Sequence, residues 1–374
     1  MKNFQIIKYF NYLLVITVYA CNPSQKMTKD AIAIDYDRVK TIPLDSIKIK
    51  SVQYIPLETS DEALMSGVHK MLVRGNRIYV ADYSGAGIIF VFDFQGKLVL
   101  KINRVGRGPG EYIQITDFDI SESGDIYIWS SGQRKLFKYS QDGAFDSEYT
   151  ISAPFFNFSL LPNDRLYVNR TYENGVCSKE LAEYDLKTNE CRQILPITAQ
   201  EQMLVGHNFF YSPFGCYYIP RFSETAYRLD EKEVIPYIRF ENLPLPPESV
   251  IEEWKKNPQE MMMDRKYVKN VTSIYETKDY ITFFMEFLWP HQIIYQKETG
   301  KCVKIEGVYL SMNMGFKTFE ACNNDTYFAV IQPGARGVLN TLHKNAQQMP
   351  NKEELLKLSE ESNPVILAIQ FEIP

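Results

Sequence analysis

One pattern recurs along this chain often enough to dictate its architecture. A polar turn leads into an Ile-Tyr-hydrophobic strand, and after a loop come an aromatic-rich strand, a glycine turn and another strand. Residues 74–102 and 122–149 align on this pattern directly, 161–195 and 276–305 repeat it, and 206–240 is a more diverged copy. A sixth copy opens at 323–337 and resumes at 363–373. Tyr79 and Tyr127 are 127 − 79 = 48 residues apart, and Tyr127 and Tyr167 are 167 − 127 = 40 apart. That is the spacing of a four-stranded propeller blade. A blade cannot bury both faces alone, so consecutive units must stack around an axis. The sequence therefore predicts an all-β fold, a six-bladed β-propeller of four-stranded antiparallel blades. An aromatic content of 14%, mostly 25 Tyr and 23 Phe, suits strands. Tandem immunoglobulin-like domains would also supply many strands, but not one repeated order of turns.

A ring of blades has to be fastened shut. The last unit is one strand short, and Lys48–Leu57 reads as a spare strand ahead of the first, so this N-terminal strand is expected to complete the last blade and remove its open edge. Two helical insertions are predicted. Residues 247–257 carry Pro near the start and stop at Pro258. In 351–362, Asn351 and Glu354 have the spacing of a capping box. Both are read as braces for the rim.

The first twenty residues read as an address. Lys2 and Lys8 precede the apolar run Phe10–Ala20, which suits a secretory leader and is too short to span a bilayer. It ends in Val18-Tyr19-Ala20-Cys21, similar to a bacterial lipobox apart from its unusual Tyr19. The expected organisation is a lipoprotein signal peptide over 1–20, a lipidated Cys21 and tether over 21–45, and the propeller over 46–374. Acyl chains on Cys21 would hold the protein to a membrane of the cell envelope, on the periplasmic or outer-membrane side. The net charge is −5, and −5 − 2 = −7 once the two leader lysines are gone. This excludes a nucleic-acid groove, which needs a concentrated basic field. Among the remaining cysteines, Cys177 and Cys191 have the spacing to meet across a hairpin. Most of the others are read as buried thiols, since the count is odd and no CxxC occurs.

Several segments together resemble a known group. They are Val52-Gln-Tyr-Ile-Pro-Leu-Glu58, residues 92–112 (FDFQGKLVLKINRVGRGPGEY), Asp117-Phe-Asp-Ile120 and the C-terminal Asn363-Pro-Val-Ile-Leu367. This set is similar to the six-bladed β-propeller lipoproteins of Bacteroidetes, relatives of NHL-repeat propellers. The resemblance covers essentially the whole mature chain. It implies the fold and an envelope location, and hardly anything about activity.

Strand order separates two faces. With strands lettered A to D outward from the axis, A–B and C–D turns share one face and carry plain Asn, Asp and Gly turn chemistry. The B–C loops and D–A connections share the other, where Arg, Tyr, Trp and His accumulate. The candidate partner-binding face is Arg107, Glu111, Trp129, Arg134, Arg170, Tyr172, Arg221, Trp289, His291 and Arg336. Taken singly, each of these could instead pack, cap a carbonyl or bridge two blades. The segment Gly106-x-Gly108-x-Gly110 has the look of a phosphate loop, but it follows a strand and precedes no helix. It is read as a structural loop with Glu111 tying down neighbouring backbone.

Catalytic signatures are sparse. The four histidines show no HxH or HExxH spacing, and GxSxG and EF-hand patterns are missing. His69 and His207 are read near the starts of inner strands, facing the channel, where a metal site would have to be assembled. Asp82, Asp117, Asp119 and Glu286 are available for a carboxylate dyad, Asp117 and Asp119 on one strand face. The leading expectation is a non-catalytic envelope module, without a cofactor, that binds a protein or glycan through the loop-rich face. The alternative is a metal-dependent hydrolase or lyase at the central channel.

Overall fold

The computed structural model describes residues 31–85, 87–173, 176–197, 208–288, 290–306 and 318–374. The predicted leader, Cys21, His207 and Trp289 lie outside them. Six sheets form the six blades, and every neighbouring pair of strands within a blade is antiparallel. Blade 1 comprises Lys70–Arg74, Arg77–Asp82, Ile88–Phe92 and Leu98–Ile102. Blade 2 comprises Asp117–Ile120, Ile126–Ser130, Lys135–Tyr139 and Phe145–Thr150. Blade 3 comprises Phe158–Leu161, Arg165–Glu173, Val176–Asp185 and Cys191–Pro196. Blade 4 comprises Phe209–Ser212, Gly215–Tyr218, Thr225–Leu229 and Val234–Glu241. Blade 5 comprises Asn270–Glu276, Tyr280–Glu286, His291–Gln296 and Cys302–Glu306.

Blade 6 is built from both ends of the chain. Phe319–Asn323, Thr326–Ile331 and Val365–Glu372 supply three strands, and Lys48–Pro56 adds the fourth, with Ile55 opposite Ile366. The predicted closure is thus present. Asn363 locks it. Its Nδ2 donates to Glu58 O at 2.6 Å and Ala63 O at 2.8 Å, while its Oδ1 accepts the Met65 amide at 3.1 Å.

The core lies between blades, as stacking requires. Ile55, Met71, Val73, Ile78, Phe90, Phe328 and Ile366 form one cluster joining blades 6 and 1. Tyr79, Val91, Phe118, Ile128 and Phe137 join blades 1 and 2. The inner strand of blade 2, Asp117–Ile120, is buried along its length, whereas its outermost strand, Phe145–Thr150, alternates half-buried and exposed.

Several expectations need correction. The segment read as a tether is folded where it is described. Ile32–Asp35 lies parallel to the outer strand of blade 4, and Lys40–Thr41 lies parallel to that of blade 5. The cause is an exposed outer edge with free amides and carbonyls, met by a strand that buries Ile34 to 3% exposure. The helix expected over 247–257 forms as α1 (Glu248–Lys256), and an unforeseen helix α2 (Pro258–Met263) follows it, with Pro258 starting the second helix as well as ending the first. The second insertion, read over 351–362, forms only the short α4 (Lys352–Leu356), and α3 (Val338–Ala346) precedes it as an unforeseen helix. The capping box is not made. The Asn351 side chain donates instead to Tyr54 O at 2.8 Å, so it ties the insertion to the closing strand. Cys177 and Cys191 are not set to bridge. Cys191 is opposite Tyr184 in the blade 3 register, seven residues along the strand from Cys177, which is roughly 23 Å of rise.

The connections divide as predicted. Residues 57–69, 103–116, 151–157, 242–269 and 332–364, including the four α-helices of the described residues, emerge on one face, here the loop face. The opposite turn face carries tight hairpins such as 75–76, 121–125 and 162–164.

Candidate functional site

The loop face is built on stiff supports. In the 103–116 connection, Glu111 Oε2 accepts the Gly108 amide at 2.8 Å, and a Cβ on Gly106 would fall 2.0 Å from that oxygen. Gln133 reaches across from the B–C loop of blade 2, accepting from the Ile113 amide at 2.8 Å and donating to Glu111 O at 3.1 Å. The Tyr139 hydroxyl donates to Gly110 O at 2.9 Å. These contacts fix the loop through its own backbone, in keeping with the structural reading of its glycines. Arg107, on the same loop, is exposed. Arg134 is also exposed, with φ at +53°, and Arg336 is exposed on the blade 6 insertion.

Other predicted face residues are turned inward. Trp129 is fully buried, stacked on Phe155 at 4.4 Å between ring centroids, and its indole N–H donates to Phe155 O at 3.1 Å. As a residue for gripping a partner it is ruled out by packing. Arg170, 2% exposed, faces Glu180 with Nε 3.5 Å from Oε2, and the Tyr218 hydroxyl donates to Glu180 Oε1 at 2.5 Å. Burial raises the Glu180 pKa, and the Arg170 charge and the Tyr218 hydrogen bond act against it. Arg221 comes near Arg170, whose charge, with burial as the larger cause, lowers the Arg221 pKa. Its Nε donates to Lys269 O at 3.3 Å, and Nη2 lies 3.5 Å from Met261 Sδ on α2. These two arginines are therefore brought together, Arg170 buried and Arg221 half-buried, as a joint between blades 3, 4 and 5.

His291 is also a joint. Its Nδ1 lies 3.0 Å from the Tyr36 hydroxyl, and Phe287 packs on the ring at 4.9 Å, so it pins the N-terminal strap to blade 5. Burial first, then the Lys304 charge, pushes its pKa down to about 4. Tyr172 pairs through its backbone with Cys177, and its side chain lies outside the described residues, as does Trp289.

His69 sits at the start of the blade 1 inner strand, where the sequence places it. Its Nδ1 accepts the Tyr83 amide at 3.2 Å, and Tyr83 stacks on it. His207 lies outside the described residues. Among the described residues, no three His, Cys, Asp or Glu side chains are grouped to hold a metal ion. The aspartates proposed for a dyad act as inter-blade staples. Asp117 Oδ2 accepts the Phe158 amide at 3.0 Å, and Asp119 Oδ2 accepts the Leu160 amide at 2.8 Å, both from the inner edge of blade 3. Lys70 from blade 1 donates to Asp117 Oδ1 at 2.7 Å. The physical need is clear: innermost strands present unpaired amides to the channel, and a neighbouring carboxylate satisfies them.

Sequence reading passed over the turn-face end of the channel. Arg74 ends the blade 1 inner strand and stacks its guanidinium on Tyr211 of blade 4, 3.3 Å from the ring centroid. Blades 1 and 4 face each other in a ring of six, so Arg74 bridges the axis. Above it opens a cavity of about 630 Å³ between the blade 2 and blade 3 hairpins, lined also by Asp119, Ser159, Glu122, Asp164 and Leu186. The available signal was a charge at each end of the otherwise apolar strand Lys70–Arg74. Cys216 lines the same cavity as a half-buried free thiol, raised to about 12 by desolvation.

Comparison with known proteins agrees with this architecture. Residues 30–370 match the family described as a domain of unknown function, DUF4934, and the chain belongs to that family. A crystal structure of a protein described as exported, from Bacteroides fragilis NCTC 9343, superposes with a TM-score of 0.75 at 18% identity, covering 92% of this chain and 100% of that one. A member of the DUF4221 family from Bacteroides vulgatus superposes with a TM-score of 0.55 at 12% identity, covering 88% and 98%. At these identities the likeness establishes the fold. No curated protein matches the sequence.

Proposed function

We propose that this DUF4934 propeller is a non-catalytic binding module of the cell envelope, anchored through a lipidated Cys21, that takes a protein partner on its loop face. The lipobox-like Val18-Tyr19-Ala20-Cys21 supports the anchor, and the Bacteroides fragilis neighbour described as exported is in keeping with that address. The observation that carries the binding reading is where apolar surface stands exposed. Of nine large apolar side chains exposed among the described residues, six sit on loop-face connections: Leu64, Val105, Phe156, Met262, Met263 and Leu356. Burying such residues normally contributes to stability, and leaving them in water alongside exposed Arg107, Arg134 and Arg336 suits an apolar contact with a charged rim.

The test is chemical crosslinking of the full-length protein in its own envelope, comparing wild type with the Arg107→Glu, Arg134→Glu, Arg336→Glu triple variant. The variant is expected to lose its crosslinked protein adduct at least tenfold. Its stability should change by no more than about 0.5 kcal/mol per exposed site. Lys187→Glu on the turn face should keep the adduct. An undiminished adduct in the triple variant means the partner sits elsewhere, and an adduct made only of polysaccharide means the partner is a glycan.

A further inference from the structure

The turn-face cavity has the chemistry of a second, independent binding site, and we infer that it takes a neutral polyhydroxylated ligand such as a short saccharide. It lies at the opposite end of the molecule from the loop face, and its volume of about 630 Å³ is within the range of ordinary ligand sites. Its floor is a cation with donors to spare. Arg74 carries five N–H donors, and among the described residues its hydrogen bond is one from Nη1 to Val73 O at 3.1 Å. The Asp119 carboxylate lies 3.7 Å from Nη2, too far for a hydrogen bond, and already accepts the Leu160 and Ile120 amides. With its side chain only 15% exposed and its guanidinium carbon over the Tyr211 ring, 3.3 Å from the centroid, the Arg74 guanidinium cannot turn to water freely.

The charge balance selects the class of ligand. The lining holds Arg74 and Arg165 against Asp119, Glu122 and Asp164, a net of 2 − 3 = −1, but Arg165 is committed to Glu183 at 2.6 Å and Asp164 to Lys187 at 3.0 Å. An anion would meet Arg74 as the uncommitted cation, with the Asp119 and Glu122 carboxylates beside it. A hydroxyl group, by contrast, accepts from a guanidinium and donates to a carboxylate at once, so a polyol satisfies both sets together. Leu161 and Leu186 on the wall offer apolar contact to the C–H face of a sugar ring.

The probes are maltotriose, cellotriose, mannotriose and xylotriose, each presented to the purified full-length chain in saturation-transfer NMR, with trigalacturonate as the anionic control. At least one neutral trisaccharide should show transfer, and Arg74→Met should abolish it. Because Arg74 also packs across the axis, Ser123→Trp provides a second variant. It places a bulky ring at the cavity rim on an exposed turn, should leave the fold intact, and should weaken binding at least tenfold. Arg134→Glu, on the far face, should bind as wild type does. Silence from every neutral trisaccharide, transfer that survives Ser123→Trp, or a preference for trigalacturonate would each overturn the assignment. None of these results depends on the loop-face crosslink, so the two sites stand or fall separately.

Discussion

Individual side chains show how a propeller turns polar residues into mortar. Asp117 and Asp119 pair with backbone amides of the next blade, Arg170 and Glu180 are buried together, and His291 holds the strap through Tyr36. The His291 contact has a consequence for pH. In the fold its pKa is about 4, below the ordinary 6.5, so between those values the unfolded chain binds a proton that the folded chain does not. Above pH 6.5 both states are neutral and the residue contributes no slope. As pH falls from 6.5 towards 4, stability is lost. The melting temperature is expected to drop across that window, and His291→Gln should flatten this part of the profile. Parallel profiles for the two proteins would remove His291 from the account.

Among the elements, the closing strand Lys48–Pro56 is the most constrained. The 93–97 turn of blade 1 packs so closely on it that a Cβ at Gly96 would stand 2.0 Å from Pro56 O. Gly96 also has φ at +77°, where a side chain is strained, and its carbonyl accepts the Glu58 amide at 2.8 Å. Gly96→Ala should therefore cost more than about 2 kcal/mol, read from the shift of a urea unfolding curve. Gly75, also left-handed at φ +54° but with open space around its Cβ position, provides the control. If Gly75→Ala costs as much as Gly96→Ala, the close approach to Pro56 is not the cause.

At the scale of the whole molecule, the ring is closed by hydrogen bonds between residues more than 300 apart in sequence, as from the Leu57 amide to Pro364 O at 3.1 Å. Deleting residues 1–57 removes the fourth strand of blade 6 and bares the edge of Val365–Glu372. Deleting residues 1–47 removes only the strap on blades 4 and 5. The shorter deletion should lower the melting temperature yet leave one cooperative transition. The longer one should leave no cooperatively folded monomer, as judged by near-UV circular dichroism and gel filtration. Two equally cooperative proteins would show that closure is dispensable.

The blade count, the strand order, the N-terminal closure and the split into a loop face and a turn face were all legible in the residues. Each follows from local periodicity and turn chemistry repeated along the chain, and local rules act through neighbours in sequence. The same rules missed the α3 segment and misplaced the capping box, because Asn351 had a better partner in Tyr54, some 300 residues away. They also could not tell which arginines of the loop face point outward. Arg134 and Arg170 both sit at left-handed positions near B–C loops, yet one is exposed and the other is 2% exposed. What separates them is the neighbouring blade, whose Tyr218 and Arg221 come close to the Arg170–Glu180 pair. The turn-face cavity is the extreme case, since it joins Arg74, Asp119, Ser159 and Tyr211 from four blades. Sequence determined the ring because each blade is a local object, and tertiary structure alone decided the sites because each lies where separate blades meet.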